Sequence, residues 1–407
     1  MNARVNSQPK NLLPILVAGL LWLVGFTYGS GYGIVYDVYG KAKLVTIICF
    51  FLCFLFGKKS HPTRTDIALA VMYILVSNLY YFVRFNKTHF DYLWLFLLLP
   101  LMSRLTLRKR EMKLISLGYL LGGFVILCAA NYTGIFRGWD GNSYSMPAFY
   151  SYTVFVVSFG DTREKKKIFL LLLVSAVYFY LLRISASRGS ILFSIILLLS
   201  TLSLLPLKRM IKHRAFLLLL LAPLLLAVAV VLIRNTPFAY KLNIWSLNHT
   251  QKPVFNGRDM IWLLGFREWL RNPLLGNGNF AGNFHNSAVT LLVGSGAVGY
   301  CIYLYVIAKI LNYACRFSDD TVVSGLILSY LTIWLHQSLE LGLIAPHGNA
   351  IPFAILGLLL ARTKTLEREY ELQNIRDRSD LQRGNVSPQM RDFYTASNRT
   401  YPGDHFG

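Results

Sequence analysis

Negative charge is scarce in this chain: 19 Asp and Glu stand against 41 Lys and Arg, a formal net charge of +22 over 407 residues. Cysteine is scarce too, five in all, without metal-ligand or disulfide spacing. Cys49 and Cys53, four apart in an apolar stretch, read as small hydrophobes, while Cys128, Cys301 and Cys315 are scattered. No cleavable signal is expected, because Met1–Lys10 is polar and no small-residue cleavage site follows the apolar Leu12–Gly29. Short alternating strands are missing, and long Leu-rich runs such as Phe216–Ile233 exclude a transmembrane barrel.

What is abundant is apolar: 55% of the residues are hydrophobic, in repeated runs long enough to cross a hydrocarbon core. A soluble fold of this length has no core large enough to hide that much Leu, Ile and Phe. The composition therefore predicts an all-α polytopic integral membrane protein with membrane lipids around it. The positive charge taken alone points to nucleic acid, but it is gathered in short linkers between apolar runs: 57–59, 104–110, 163–167 and 208–214. That is where the positive-inside rule puts Lys and Arg, and no aromatic-interleaved basic groove argues for a nucleic-acid partner.

With those linkers as cytoplasmic markers, spans are expected near 12–29, 42–56, 67–83, 91–103, 114–130, 149–160, 168–184, 189–206, 215–234, 285–312, 321–343 and 350–361. That makes about 12 transmembrane helices by the usual length rule, some short enough to be tilted or broken. Both termini then lie in the cytoplasm. The outer loops are 30–41, 84–89, 131–148, 185–188, the long segment 235–284, and 346–349. The expected domains are a membrane-embedded catalytic domain, 1–361, with 235–284 as its outer segment, and a cytoplasmic tail, 362–407. Within the tail, 363–372 extends the last helix and 374–407 reads as largely disordered.

Arg188, Arg258 and His285 all fall on the outer side in this plan. Arg188 sits in Ser185-Ala186-Ser187-Arg188-Gly189-Ser190, a small-residue break between apolar runs. An arginine at that depth marks a substrate path or anchors at the interface, and the residues alone fit both. Arg258 opens an amphipathic stretch with Met260, Ile261, Leu263, Leu264, Phe266 and Trp269 set against Asp259, Arg267 and Glu268. This predicts an interfacial helix, apolar side in lipid, ended by Pro273. Gly276, Gly278 and Gly282 then make a turn that reads either as an N–H cradle for phosphate oxygens or as an ordinary surface loop. His285, beside Asn286 and Ser287, opens the next helix as either a general base or a capping residue. His336 and Glu340, four apart, are expected to share a helical face and either pair or line a polar cavity; no third ligand stands nearby, so no metal and no cofactor is expected.

The run Asn256-Gly257-Arg258-Asp259-Met260-Ile261-Trp262, then Asn272-Pro273-Leu274-Leu275-Gly276-Asn277-Gly278-Asn279-Phe280, then His285-Asn286-Ser287 with Gly294-Ser295-Gly296-Ala297-Val298-Gly299, resembles the O-antigen ligase superfamily. Ser187-Arg188-Gly189 is similar to its second arginine motif, and His336 to Glu340 to a weaker His/Glu signature. The motifs cover 185–299, and the span plan extends the likeness over 11–361. The resemblance implies a type C glycosyltransferase-like fold in a bacterial inner membrane, with its active site facing the periplasm. It implies a metal-independent, inverting transfer from an undecaprenyl-diphosphate-linked glycan to a sugar hydroxyl of lipid A–core oligosaccharide, in lipopolysaccharide biosynthesis. His285 and Arg258 are the implied catalytic residues. Arg188 and Arg258 would bind the diphosphate, with Asn286, His336 and Glu340 also lining the substrate site. The interval from Arg258 to His285 is short for a ligase. Outer loop 131–148, with Tyr132, Phe136, Arg137, Trp139, Asp140 and Tyr144, supplies either sugar-stacking surface or an interfacial aromatic belt. A polymerase of the same fold and a protein O-oligosaccharyltransferase are the rival readings. A flippase or transporter is the rival from another class, against which the absence of an internal repeat counts.

Overall fold

The computed structural model describes residues 11–29, 36–58, 71, 98–133, 141–159, 164–185, 187–205, 210, 214–250, 253–278, 284–340 and 350–382. Among these the chain is all helical, without a strand. The helices are α1 (Leu13–Gly29), α2 (Tyr36–Phe56), α3 (Lys109–Cys128), α4 (Gly141–Val157), α5 (Lys165–Ile184), α6 (Arg188–Thr201), α7 (Ala222–Ile233), α8 (Pro237–Thr250), α9 (Arg258–Trp269), α10 (Ser287–Ala314), α11 (Thr321–His336) and α12 (Ala350–Gln382). A π turn, Ala129–Thr133, continues α3, and a 3-10 turn, Ala215–Leu221, leads into α7.

Among the described residues, three helical segments can cross a membrane by length and composition: Lys109–Thr133, Lys165–Ile184 and Ser287–Phe317. Leu218–Ile233 and Pro237–His249 pass the same test only as a pair, and the pair is bent by 103°. Leu13–Phe26, Leu44–Phe56, Arg188–Thr201 and Thr321–His336 are apolar but shorter. These helices define a helical membrane protein. The expected span 67–83, apart from residue 71, and most of 91–103 lie outside the described residues. Lys165, Lys166 and Lys167 open α5, against the preference of a helix N-terminus for negative charge. Their place answers the membrane's charge rule rather than the helix's own.

Several boundaries differ from the sequence expectation. The segment 235–284 holds two helices, α8 and α9, where one interfacial helix was expected. α9 does not simply lay its apolar side outward: Met260 and Leu264 are exposed, but Trp262 and Gly265 are buried. The apolar core there comprises Trp262 with Ala227, Val230, Ala239, Phe255, Phe284, Val289 and Val293, and a protein surface rather than lipid takes that face. α12 runs to Gln382, so residues 374–382 are helical rather than disordered; the Glu, Arg, Leu and Gln of 366–382 are good helix formers. Residues 383–407 lie outside the described part. Contacts divide the chain into two compact units, Met1–Thr363 and Lys364–Gly407.

The centre of the first unit is α4, α11 and α6, and several of its buried polar groups bond between segments. Ser329 Oγ donates to the Thr153 carbonyl (2.7 Å), Trp334 Nε1 to the Leu220 carbonyl (3.0 Å) and Trp22 Nε1 to Ser151 Oγ (2.8 Å). Inside a bilayer no water substitutes for such partners, so interhelical hydrogen bonds and small residues hold the bundle. Gly325 is one such residue, since a Cβ there would press Val157 at 2.8 Å.

Candidate active site

The approach to α9 fixes Arg258. Asn256 and Gly257 both adopt left-handed backbone (φ 49° and 79°), and the Arg258 N–H bonds back to the Phe255 carbonyl at 2.9 Å. That tight turn places Arg258 on the first turn of α9. One turn on, Trp262 donates its indole N–H to the Phe284 carbonyl (2.7 Å), tying α9 to the residue just before His285. Gly265 allows this approach, because a Cβ there would overlap Val289 and crowd Phe284.

His285 takes a left-handed backbone conformation too, at φ 47°, which is strained for a residue with a Cβ. Asn286 holds it in place. Its Oδ1 accepts from the N–H groups of Ala288 (2.9 Å) and Val289 (3.2 Å), capping α10, and its Nδ2 donates to the carbonyls of Pro223 (2.9 Å) and Ser338 (3.1 Å). Both amide hydrogens and the oxygen are thus engaged, and Asn286 serves the site as a buried frame. Ser287 continues the frame: its N–H bonds the Gln337 carbonyl (3.0 Å), and its Oγ donates to Gln337 Oε1 (3.1 Å).

These constraints bring three expected residues together. Arg258 Nη2 donates to Glu340 Oε1 at 2.9 Å, and His285 Nδ1 lies 3.5 Å from Glu340 Oε2. The second contact is at ion-pair distance but outside hydrogen-bond geometry. The side chains are 15% (Arg258), 13% (Glu340) and 29% (His285) exposed, buried enough for strong electrostatics yet open enough to be reached. Arg258 Nε and His285 Nδ1 are buried without a hydrogen-bond partner among the described residues. Such groups in a native structure call for an explanation, and a site that receives an anion provides one.

His336 parts company with Glu340. α11 ends at His336, and the Ser338 and Leu339 N–H groups close turns onto the Leu335 and His336 carbonyls (both 3.0 Å). The expected shared helical face is therefore corrected: the helix stops before Glu340, which swings to Arg258 and His285. His336 is buried among the rings of Phe149, Tyr150 and Phe193. Its Nε2 is 3.5 Å from Ser190 Oγ, and its Nδ1 is 3.3 Å from Gln337 Nε2, which also donates to the Tyr150 hydroxyl (2.5 Å). A Cβ on Gly189 would stand 3.5 Å from His336 Nε2. So the start of α6, where Arg188 is exposed, packs on the residue four before Glu340.

The Gly-rich turn does structural work in its described part. The N–H groups of Gly276, Asn277 and Gly278 bond the carbonyls of Asn272 (2.9 Å), Val293 (2.8 Å) and Gly294 (3.0 Å), so they are not offered to a phosphate. Gly276 and Gly278 take positive φ, as does Gly296, where α10 is kinked. Ala297 and Val298 N–H groups reach the carbonyls of Pro273 and Leu274 (2.9 and 3.1 Å). The turn thus docks into the kink, backbone against backbone. Gly282, Phe136, Arg137, Trp139 and Asp140 lie outside the described residues; Tyr144 is buried in α4 and Tyr132 is exposed.

Among the described residues no three or more His, Cys, Asp and Glu side chains gather as a metal site would require. No family model matches the chain, and no curated protein matches it either. Trp262 and Ser190, quoted within the motifs, support the site by packing and hydrogen bonds, and so do Gln337 and Tyr150, which sequence did not single out. The sequence signal for Gln337 is its place beside His336, and Tyr150 carries none, since it lies far away along the chain. The arrangement itself can bind an anion at Arg258 and accept a proton at His285.

Proposed function

We propose that this chain is a membrane glycosyltransferase that joins a lipid-carried glycan to an acceptor sugar hydroxyl. In the finer reading it has about twelve spans, of the type C kind, in a bacterial inner membrane. Its site faces the periplasm, its donor is an undecaprenyl-diphosphate-linked polysaccharide, and its acceptor is lipid A–core oligosaccharide. The single observation that carries this reading is the meeting of Arg258 and His285 on Glu340, which puts an anion-binding cation beside a proton acceptor.

The chemistry follows from those roles. Arg258, together with Arg188 at the start of α6 in this reading, holds the diphosphate and stabilises the charge that develops on it as it leaves. The acceptor oxygen attacks the anomeric carbon from the opposite side. The carbon–oxygen bond to the diphosphate breaks, its electron pair stays with the phosphate, and the hydroxyl proton passes to His285. Attack opposite the leaving group inverts the anomeric centre. His285 uses Nε2 for the proton when Nδ1 faces Glu340.

The test is made in cells that display the lipid-linked glycan on the outer face. Arg258→Ala and His285→Ala are each expected to lower transfer by about 10²-fold or more, with insertion and abundance unchanged. Loss of glycan export, with normal transfer of glycan already outside, would instead make the chain a transporter.

A further inference from the structure

In the structure, the cation assigned to the diphosphate is not free. Its guanidinium Nη2 is bonded to Glu340 Oε1 at 2.9 Å, and the other oxygen of the same carboxylate faces His285 Nδ1 at 3.5 Å. Glu340 stands beyond the end of α11, on the same stretch of chain that Asn286 and Ser287 pin through Ser338 and Gln337. One carboxylate therefore serves two groups that must do different things.

We propose that Glu340 is a positioning residue that couples the two substrates: it occupies Arg258 until a diphosphate takes its place, and it then acts on His285 alone. Before the donor binds, the carboxylate's charge is divided between guanidinium and imidazole. A diphosphate on Arg258 brings more negative charge than one carboxylate and competes for the same Nη2 donor. Glu340 loses that bond and is left facing His285 Nδ1 alone, where it orients the ring and stabilises the charge that His285 gains on taking the acceptor's proton. The base is armed only when the leaving group is in place. This inference rests on the glycosyl-transfer reading and adds an order of events to it.

The coupling has an unusual signature. Removing a residue that only binds substrate weakens binding; removing an internal competitor strengthens it. In the purified full chain at fixed ionic strength, Glu340→Gln is expected to bind inorganic pyrophosphate about tenfold more tightly than wild type. Its donor KM falls likewise, while kcat drops by about 10²-fold because His285 has lost its partner. The double variant Arg258→Ala with Glu340→Gln binds as weakly as Arg258→Ala alone, since the gain passes through Arg258. If Glu340→Gln does not survive purification, Glu340→Asp, one methylene shorter, shifts pyrophosphate affinity in the same direction. Pyrophosphate binding that is unchanged or weaker in Glu340→Gln or Glu340→Asp overturns the coupling and leaves the transfer reading standing. Binding that ignores Arg258 in every variant overturns the transfer reading and the coupling together.

Discussion

At the scale of single residues, the site is held by side chains that do no chemistry. Trp262 is fully buried, and its indole N–H is the only bond it makes to the Phe284 carbonyl next to His285. Trp262→Phe keeps most of the packing and leaves that carbonyl unsatisfied, so it should cost about 1–3 kcal/mol in the unfolding of the purified protein. Transfer should fall with it, because His285 shifts. A variant as stable as wild type would mean that the indole bond does not hold the site. Sequence reading found Arg258, His285 and Glu340 as chemically apt residues, each on its own merits. It set Glu340 on one helical face with His336, to pair with it or to line a cavity, because residues four apart on a helix share a face. What it missed was the helix stop at His336, set by contacts between Gln337, Ser287 and Tyr150 that no local pattern encodes.

At the scale of elements, the Gly-rich segment shows how a motif can be right in place and different in role. Gly276 lies against the backbone of Gly294 and Gly296, and a Cβ would come within 2.5 Å of the Gly296 nitrogen. With φ at 72° an alanine there is strained as well as crowded. Gly276→Ala should destabilise the protein by roughly 1–3 kcal/mol or more and open the kinked half of α10 to protease first. Melting and limited proteolysis, compared with an exposed control substitution such as Met260→Ala, check this. The glycines were legible as a turn; that the turn fills a helix kink was not, since it depends on two segments meeting. α9 teaches the same lesson. Its bounds were read from Arg258 and Pro273, but its apolar residues point both to protein and outward, a split that sequence periodicity cannot assign.

At the scale of the whole molecule, the charge asymmetry that opened the sequence has a structural counterpart. Asp320 caps α11, accepting from Val322 and Val323, and takes a two-point bond from Arg362, with Nε at 3.2 Å and Nη2 at 2.7 Å. Lys109, at the start of α3, stands 3.6 Å away. One acidic residue thus gathers three helices among many cations. Burial alone would raise its carboxyl, but the bond and charge of Arg362, the Val323 amide and Lys109 outweigh this and leave it below the usual carboxylate range. A depressed folded-state value means that its stabilisation is complete above the unfolded value of about 4 and fades as pH falls through the folded one. Asp320→Asn should therefore lower Tm by about 2–4 °C at pH 7, with the gap to wild type closing progressively below about pH 4. Asparagine keeps the cap, so a gap that persists unchanged at low pH would show that the carboxylate's charge is not what stabilises the junction. The helical membrane class was plain from apolar runs and basic linkers, because both are set by the bilayer. The central claim, that Arg258 and His285 transfer a glycan, is tested most directly in proteoliposomes given an undecaprenyl-diphosphate-linked glycan and lipid A–core. The account predicts glycan on lipid A–core, lost in His285→Ala; glycan that only lengthens on its lipid carrier contradicts the ligase, and no new product at all contradicts the enzyme.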